Sequence, residues 1–183
     1  MHHPNPDDCI VAVSSAWAPA PTGIIRLCGR DSFRIVAGII AEPVAAESAA
    51  PRAVRTALRV FGEATIPADI YVFPPAKSYS GTETVEIHTI GSLPVLRWVS
   101  QALIQRGARP AVAGEFTSRA FLNGRLSASQ VGAVLTLIHA ENDYVARQSA
   151  RTLGNREVFS TRIADRLAGI LALIEAGIDG VEE

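Results

Sequence analysis

A chain of 183 residues, 48% of them hydrophobic, suits one domain, or one with a helical extension, and can bury a sizeable core. Its 17 basic and 18 acidic residues leave a formal net charge of −1, which gives no electrostatic reason for strong nucleic-acid binding by this chain alone. The cysteines, Cys9 and Cys28, lack C-x-x-C spacing, no basic-then-apolar leader is visible, and no apolar run approaches the roughly 20 residues of a membrane helix; a cytoplasmic protein without disulfides, zinc or membrane contact is expected.

Cys9 to Ser14 and Gly23 to Cys28 are short, apolar and β-branched, and read as strands joined by a loop over Trp17 to Thr22 with its two prolines. Asp31 offers an N-cap to a helix with Phe33, Val36 and Ile40 on one face. Ala41 to Pro51, rich in alanine, is the least defined stretch. Asp69 to Phe73 reads as a strand ended by Pro74 and Pro75. Glu83 to Thr89 alternates, with Val85 and Ile87 on one face and Thr84, Glu86 and His88 on the other, as in a half-buried strand. Ser92 starts a helix carrying Leu93, Leu96, Val99 and Leu103, stopped by Gly107.

From about Gly124 the pattern is helical alone. Ser127 and Gln130 form an S-x-x-Q capping box ahead of Val131, Val134, Leu135 and Ile138. A second helix follows Asn142 and reaches Leu153, with Gly154 as terminator. A last stripe, Ile163, Leu167, Ile170, Leu171 and Ile174, must bury itself against something. The expected organisation is an α+β domain over 1–123 and the beginning of a helical domain over 124–183.

The run Ala113 to Leu126 mixes Glu115, Arg119, Asn123 and Arg125 with Phe116, Phe121 and Leu122, a pattern that no simple amphipathic period generates. It resembles P-G-E-F-T-x-R-A-F-L-N-x-K-L of the tRNA modification GTPases called MnmE or TrmE. Gly23-Ile24-Ile25-Arg26-Leu27-Cys28-Gly29 is similar to that family's G-I-x-R-x-S-G. Phe73 to Ile87 is similar to its F-P-x-P-x-S-[FY]-T-G-E-D-x-[VL]-E-[IL], and the tail Ile178 to Glu183 to its I-D-F-x-E-E. These motifs keep the family's order across nearly the whole chain.

The resemblance implies a mixed-sheet domain like the folate-binding part of aminomethyltransferases, binding a tetrahydrofolate derivative, either 5-formyl- or 5,10-methylene-tetrahydrofolate. The family's folate-contacting arginine, glutamate and lysine match Arg26, Glu86 and Arg125. These residue types suit the ligand: a pterin presents adjacent N–H donors that a carboxylate accepts in pairs, and the glutamate tail carries carboxylates for basic groups. Glu86 is therefore expected to face the pterin, with the two arginines supplying positive charge. Strand alternation alone would make Arg26 and Glu86 ordinary outward residues.

The resemblance also implies a homodimer through the N-terminal domain, a flavoprotein partner, and tRNA contacts made by other parts; the one-carbon unit ends at position 5 of the wobble uridine. No GTP site is expected. A P-loop needs G-x-x-x-x-G-K-[ST], and the single lysine, Lys77, follows Ala76 with no glycine between Gly62 and Gly81. Two rival readings are an interaction domain that keeps the fold and self-association but binds no folate, and an independent folate-dependent transferase. Loop departures favour the first rival: Ala18 to Ile24 replaces a glycine-rich P-G-x-G-G-[IV]-G-I, Thr89-Ile90-Gly91-Ser92 replaces G-H-G-G, and Ala113 stands where the family has proline.

Glu115 and Arg119, at i and i+4, are expected to form a buried structural pair, and Asn123 and Gly124 to end a short helix. His2 and His3 read as a solvated start, His88 and His139 as lone histidines, and Ser14-Ser15 as no nucleophile elbow.

Overall fold

The computed structural model describes residues 8–42, 50–59, 62 and 64–154, and its contacts divide the chain into two compact units, 1–126 and 127–183. The first unit is built on strands β1 (Ile10–Val13), β2 (Ala20–Cys28), β3 (Arg52–Arg59), β4 (Thr65–Phe73), β5 (Thr84–Gly91) and β6 (Arg109–Pro110). They form one mixed sheet in the order β3-β4-β5-β2-β1-β6, every pair antiparallel except β1 with β6. Helices α1 (Ser32–Ala37), α2 (Leu93–Ile104) and α3 (Glu115–Leu122) belong to this unit as well, whose architecture is α+β.

Period-two alternation sorts the side chains between the sheet's two faces. Ile25 and Leu27 of β2, Ile70 and Val72 of β4, and Val85 and Ile87 of β5 are buried in one cluster with Phe33 and Val36 of α1 and Leu96, Val99 and Leu103 of α2. Burial of such side chains stabilises by about 1.5–3 kcal/mol each. The intervening residues Arg26, Asp69, Tyr71, Glu86 and His88 therefore stand on the opposite face.

The strands extend further than expected. β2 begins at Ala20, where two prolines suggest a loop. Ala20 pairs with Gly91 and Gly23 with Thr89, so Pro21 and Thr22 together oppose Ile90 in a bulge that spares the proline a ladder bond. The approach there is close: a Cβ on Gly91 would lie 2.5 Å from the Ala20 carbonyl oxygen. β4 likewise starts at Thr65 and runs through Pro67, and β3 has no counterpart among the expected elements.

α1 is shorter than expected. Ile40 lies beyond it and bridges to Leu58, with the Ala41 amide on the Ala57 carbonyl at 2.8 Å. Asp31, at φ 62°, makes no side-chain cap; the Glu83 carboxylate, arriving from the foot of β5, accepts from the Phe33 amide at 2.8 Å. This satisfies one of the donors that a helix start leaves open.

The second unit holds α4 (Ala128–Ile138) and α5 (Asp143–Gly154), packed together. The capping box is complete: the Gln130 amide donates to Ser127 Oγ at 3.2 Å and the Ser127 amide to Gln130 Oε1 at 3.0 Å. Asn142 Oδ1 accepts from the Val145 amide at 3.0 Å, and Gln130 Nε2 donates to the Leu153 carbonyl at 3.1 Å, tying the start of α4 to the end of α5. The first unit extends to Leu126, since the amides of Arg125 and Leu126 both fold back onto the Ala120 carbonyl. The stripe from Ile163 to Ile174, the tail motif and His2-His3 lie outside the described residues.

Candidate functional site

The open face of the sheet centres on Arg26 and Glu86, which β2 and β5 place directly opposite one another. Arg26 Nε and Nη2 both donate to Glu86 Oε1, at 2.8 and 2.7 Å. The second carboxylate oxygen, Oε2, lies 3.2 Å from His88 Nε2. Tyr71, on β4, packs its ring against His88 with centroids 4.6 Å apart, and Arg26 lies over the Phe116 ring of α3 at 5.8 Å.

None of these groups is fully buried. The side chains of Glu86, His88 and Arg26 keep 18%, 26% and 32% exposure, so a ligand can reach them while water is partly excluded. Burial pushes the Glu86 carboxyl up, but the His88 hydrogen bond and the charge and hydrogen bond of Arg26 outweigh it and hold it below its ordinary value. The product is an ionised carboxylate on a half-dry surface, a strong acceptor for N–H donors.

Alternating charge continues across the sheet. His88 stands opposite Asp69 in register, and Asp69 Oδ1 accepts from Arg55 Nε at 3.2 Å. At this end of β5 a cleft of about 530 Å³ is lined by Pro21, Thr22, Arg55, Asp69, His88 and Ile90 among others. Its lining mixes polar and apolar groups, and Pro21, Thr22, Thr89 and Ile90 in it belong to the segments whose sequences depart from the glycine-rich pattern.

Arg125 sits elsewhere. Its guanidinium donates to the Pro75 carbonyl, beside the short 3₁₀ turn Pro75–Lys77 that follows β4. Asn123 fastens the same region, its Nδ2 donating to the Ser80 carbonyl at 2.8 Å. Gly81 has φ +79°, and a Cβ there would lie 2.7 Å from Asn123 Cβ, so glycine is required at this crossing. Arg26 and Glu86 thus share one contact, and Arg125 stands toward the Thr84 end of β5, since Phe73, ahead of the turn, pairs with Thr84.

Glu115 and Arg119 serve the framework. Both are buried, with Arg119 Nη2 3.2 Å from Glu115 Oε1 and Arg119 Nη1 donating to the Asp8 and Cys28 carbonyls at 2.7 and 3.3 Å. Arg109 joins this cluster without any sign of it in the motifs: its Nε donates to Asp8 Oδ2 at 2.8 Å and its other nitrogens to Glu115. Hydrogen bonding to Arg109 is the largest influence on Glu115, whose carboxyl falls to about 2 despite burial. Cys9 and Cys28 are free and buried, contacting the Ser32 and Thr82 hydroxyls at 3.5 and 3.1 Å. Among the described residues no group of three or more His, Cys, Asp or Glu could hold a metal, and no helix is long and apolar enough to cross a membrane.

His88, which reads as a lone histidine in the sequence, is the residue that the motifs do not flag. A signal for it exists: at i and i+2 of one strand, Glu86 and His88 must share a face. Tyr71 and Phe116 carry no comparable signal, because their proximity depends on register and on helix placement.

A family model described as GTP-binding protein TrmE N-terminus matches residues 9–125. The tRNA modification GTPase MnmE of Rhodopirellula baltica is 38% identical over 181 residues, covering 97% of this chain and 39% of that protein. A namesake from Thermus thermophilus is 36% identical over 188 residues, covering 96% and 42%, and that from Opitutus terrae 37% identical over 180 residues, covering 97% and 39%. The chain therefore spans about two fifths of the length of these relatives.

Proposed function

The chain belongs to the family of the TrmE N-terminus, and on that premise we propose that it binds a tetrahydrofolate derivative, 5-formyl- or 5,10-methylene-tetrahydrofolate, on the open face of its sheet in the service of tRNA wobble-uridine modification. The observation that carries this reading is the ionised, half-buried Glu86 carboxylate held between Arg26 and His88. The chemistry of this donor and acceptor set fits the ligand. The 2-amino edge of a pterin offers two adjacent N–H groups, much as a guanidinium does, and Arg26 already occupies Glu86 with a guanidinium edge.

On ligand entry Arg26 yields Oε1 of Glu86 and retains its place over Phe116, and Glu86 accepts the paired donors across both oxygens. Arg125, whose bond to Pro75 sets its charge against a neutral carbonyl, is the basic group for the glutamate tail. When bound, the folate supplies the one-carbon unit; these residues orient it and keep water from one side. A homodimer through the first unit, a flavoprotein partner and tRNA contacts from other parts of a longer protein complete the proposal. GTP hydrolysis is not assigned to these residues, which contain no G-x-x-x-x-G-K-[ST] sequence.

Calorimetric titration of the folded chain with 5-formyltetrahydrofolate tests this. Micromolar binding, about −8 kcal/mol, is expected. The absence of heat would instead support an association domain without folate. That second reading draws on the bulge at Pro21 and Thr22, where strand pairing brings the backbone at Ala20 against Gly91 in place of a glycine-rich loop.

A further inference from the structure

His88 is neither part of the motifs that match Arg26, Glu86 and Arg125 nor needed by the core, whose buried cluster lies on the other face of the sheet. It nevertheless makes the side-chain hydrogen bond that engages Glu86 Oε2, at 3.2 Å. A carboxylate accepts only, so His88 Nε2–H is the donor. The imidazole is itself confined by the Tyr71 ring at 4.6 Å, and its strand position sets it opposite Asp69, which is engaged with Arg55.

We propose that His88 is the positioning residue of the site: it holds the Glu86 carboxylate by Oε2 so that a ligand edge with two adjacent N–H donors can replace Arg26 without the carboxylate turning away. The ligand class rests on the folate reading; the hold on Glu86 does not. The reason is one of sequence of contacts. Both Arg26 nitrogens act on Oε1, so once Arg26 yields, His88 alone fixes the terminal torsion of Glu86, which is otherwise broad and roughly two-fold. A carboxylate fixed beforehand spends less of the binding free energy on ordering.

The test uses the full chain with His88→Leu and His88→Gln. Two readouts are needed: the Glu86 carboxyl titration followed by ¹³C NMR, and calorimetry with 5-formyltetrahydrofolate beside 4-aminobenzoyl-glutamate, which lacks the pterin edge. His88→Leu is expected to raise the Glu86 titration midpoint and weaken 5-formyltetrahydrofolate by about tenfold, leaving the fragment unchanged. His88→Gln, whose amide can still donate, is expected to restore both. An unchanged Glu86 titration in His88→Leu overturns the proposal, as does equal loss for the two ligands or failure of glutamine to rescue. If wild type binds no folate while His88→Leu still shifts Glu86, the folate reading falls and the positioning by His88 stands.

Discussion

Arg109 grips Glu115 through two parallel hydrogen bonds, Nη1 to Oε2 at 2.9 Å and Nη2 to Oε1 at 2.6 Å. The fork matches guanidinium to carboxylate and joins β6 to the first turn of α3, while Asp8 holds the other side of Arg109 at 2.8 Å. Since the Val112 amide also donates to Glu115 at 3.0 Å, one buried carboxylate collects the end of the sheet and the start of a helix.

Glu115→Ala should therefore destabilise the first unit by about 3 kcal/mol, the usual cost of removing one member of a buried ion pair. Urea denaturation of variant and wild type, monitored in the far ultraviolet, measures this. A loss below about 1 kcal/mol would show that the cluster behaves as a surface pair.

The same carboxyl sets an acid limit. Its value in the folded chain is about 2 against an ordinary 4.5, so the folded state binds fewer protons there than the unfolded state. The resulting stability is fully present above about 4.5 and is lost as pH falls from there toward about 2. Thermal melts from neutral pH down to about pH 3 should show wild type losing stability in this window while Glu115→Ala, already destabilised, loses less.

Glu86→Ala should abolish the proposed folate binding and leave helix content unchanged, because Glu86 faces away from the buried core. Calorimetry and circular dichroism on the same sample read the two properties. Equal affinity in variant and wild type would remove Glu86 from the site.

Gly91→Ala should cost roughly 1–3 kcal/mol through local overpacking, since its Cβ would meet the Ala20 carbonyl oxygen at 2.5 Å, a backbone atom that cannot step aside alone. The shift in urea midpoint reports it. Ser127→Ala, by contrast, should cost about 1 kcal/mol through loss of the α4 cap.

How far the sequence anticipates this arrangement depends on the kind of information each element carries. β5 is legible because Val85 and Ile87 alternate with Glu86 and His88, and the capping box at Ser127 because it is wholly local. β3 is not, since Arg52 to Arg59 interleaves arginine with alanine, residues that suit a helix as well as an edge strand. Pro21 and Pro67 hide the starts of β2 and β4, because the bulge and strand pairing that accommodate them are tertiary. Arg26 and Glu86 are legible as separate candidates through family motifs; that they pair with each other follows from strand register, which neither motif contains. Arg109 escapes notice for a related reason: its link to Asp8 spans most of the first unit, and no local pattern encodes it.

Strand register is also where Glu83 acquires a meaning beyond the helix it caps. A slip of β5 by two residues along β2 would keep its apolar side chains on the core face, so hydrophobic burial alone discriminates weakly against it. Such a slip would set His88 instead of Glu86 opposite Arg26 and would draw the Glu83 carboxylate away from the Phe33 amide. Glu83 thus works as an index pin: by locking the foot of β5 to α1, it selects, among alignments of similar apolar content, the one in which a carboxylate meets Arg26.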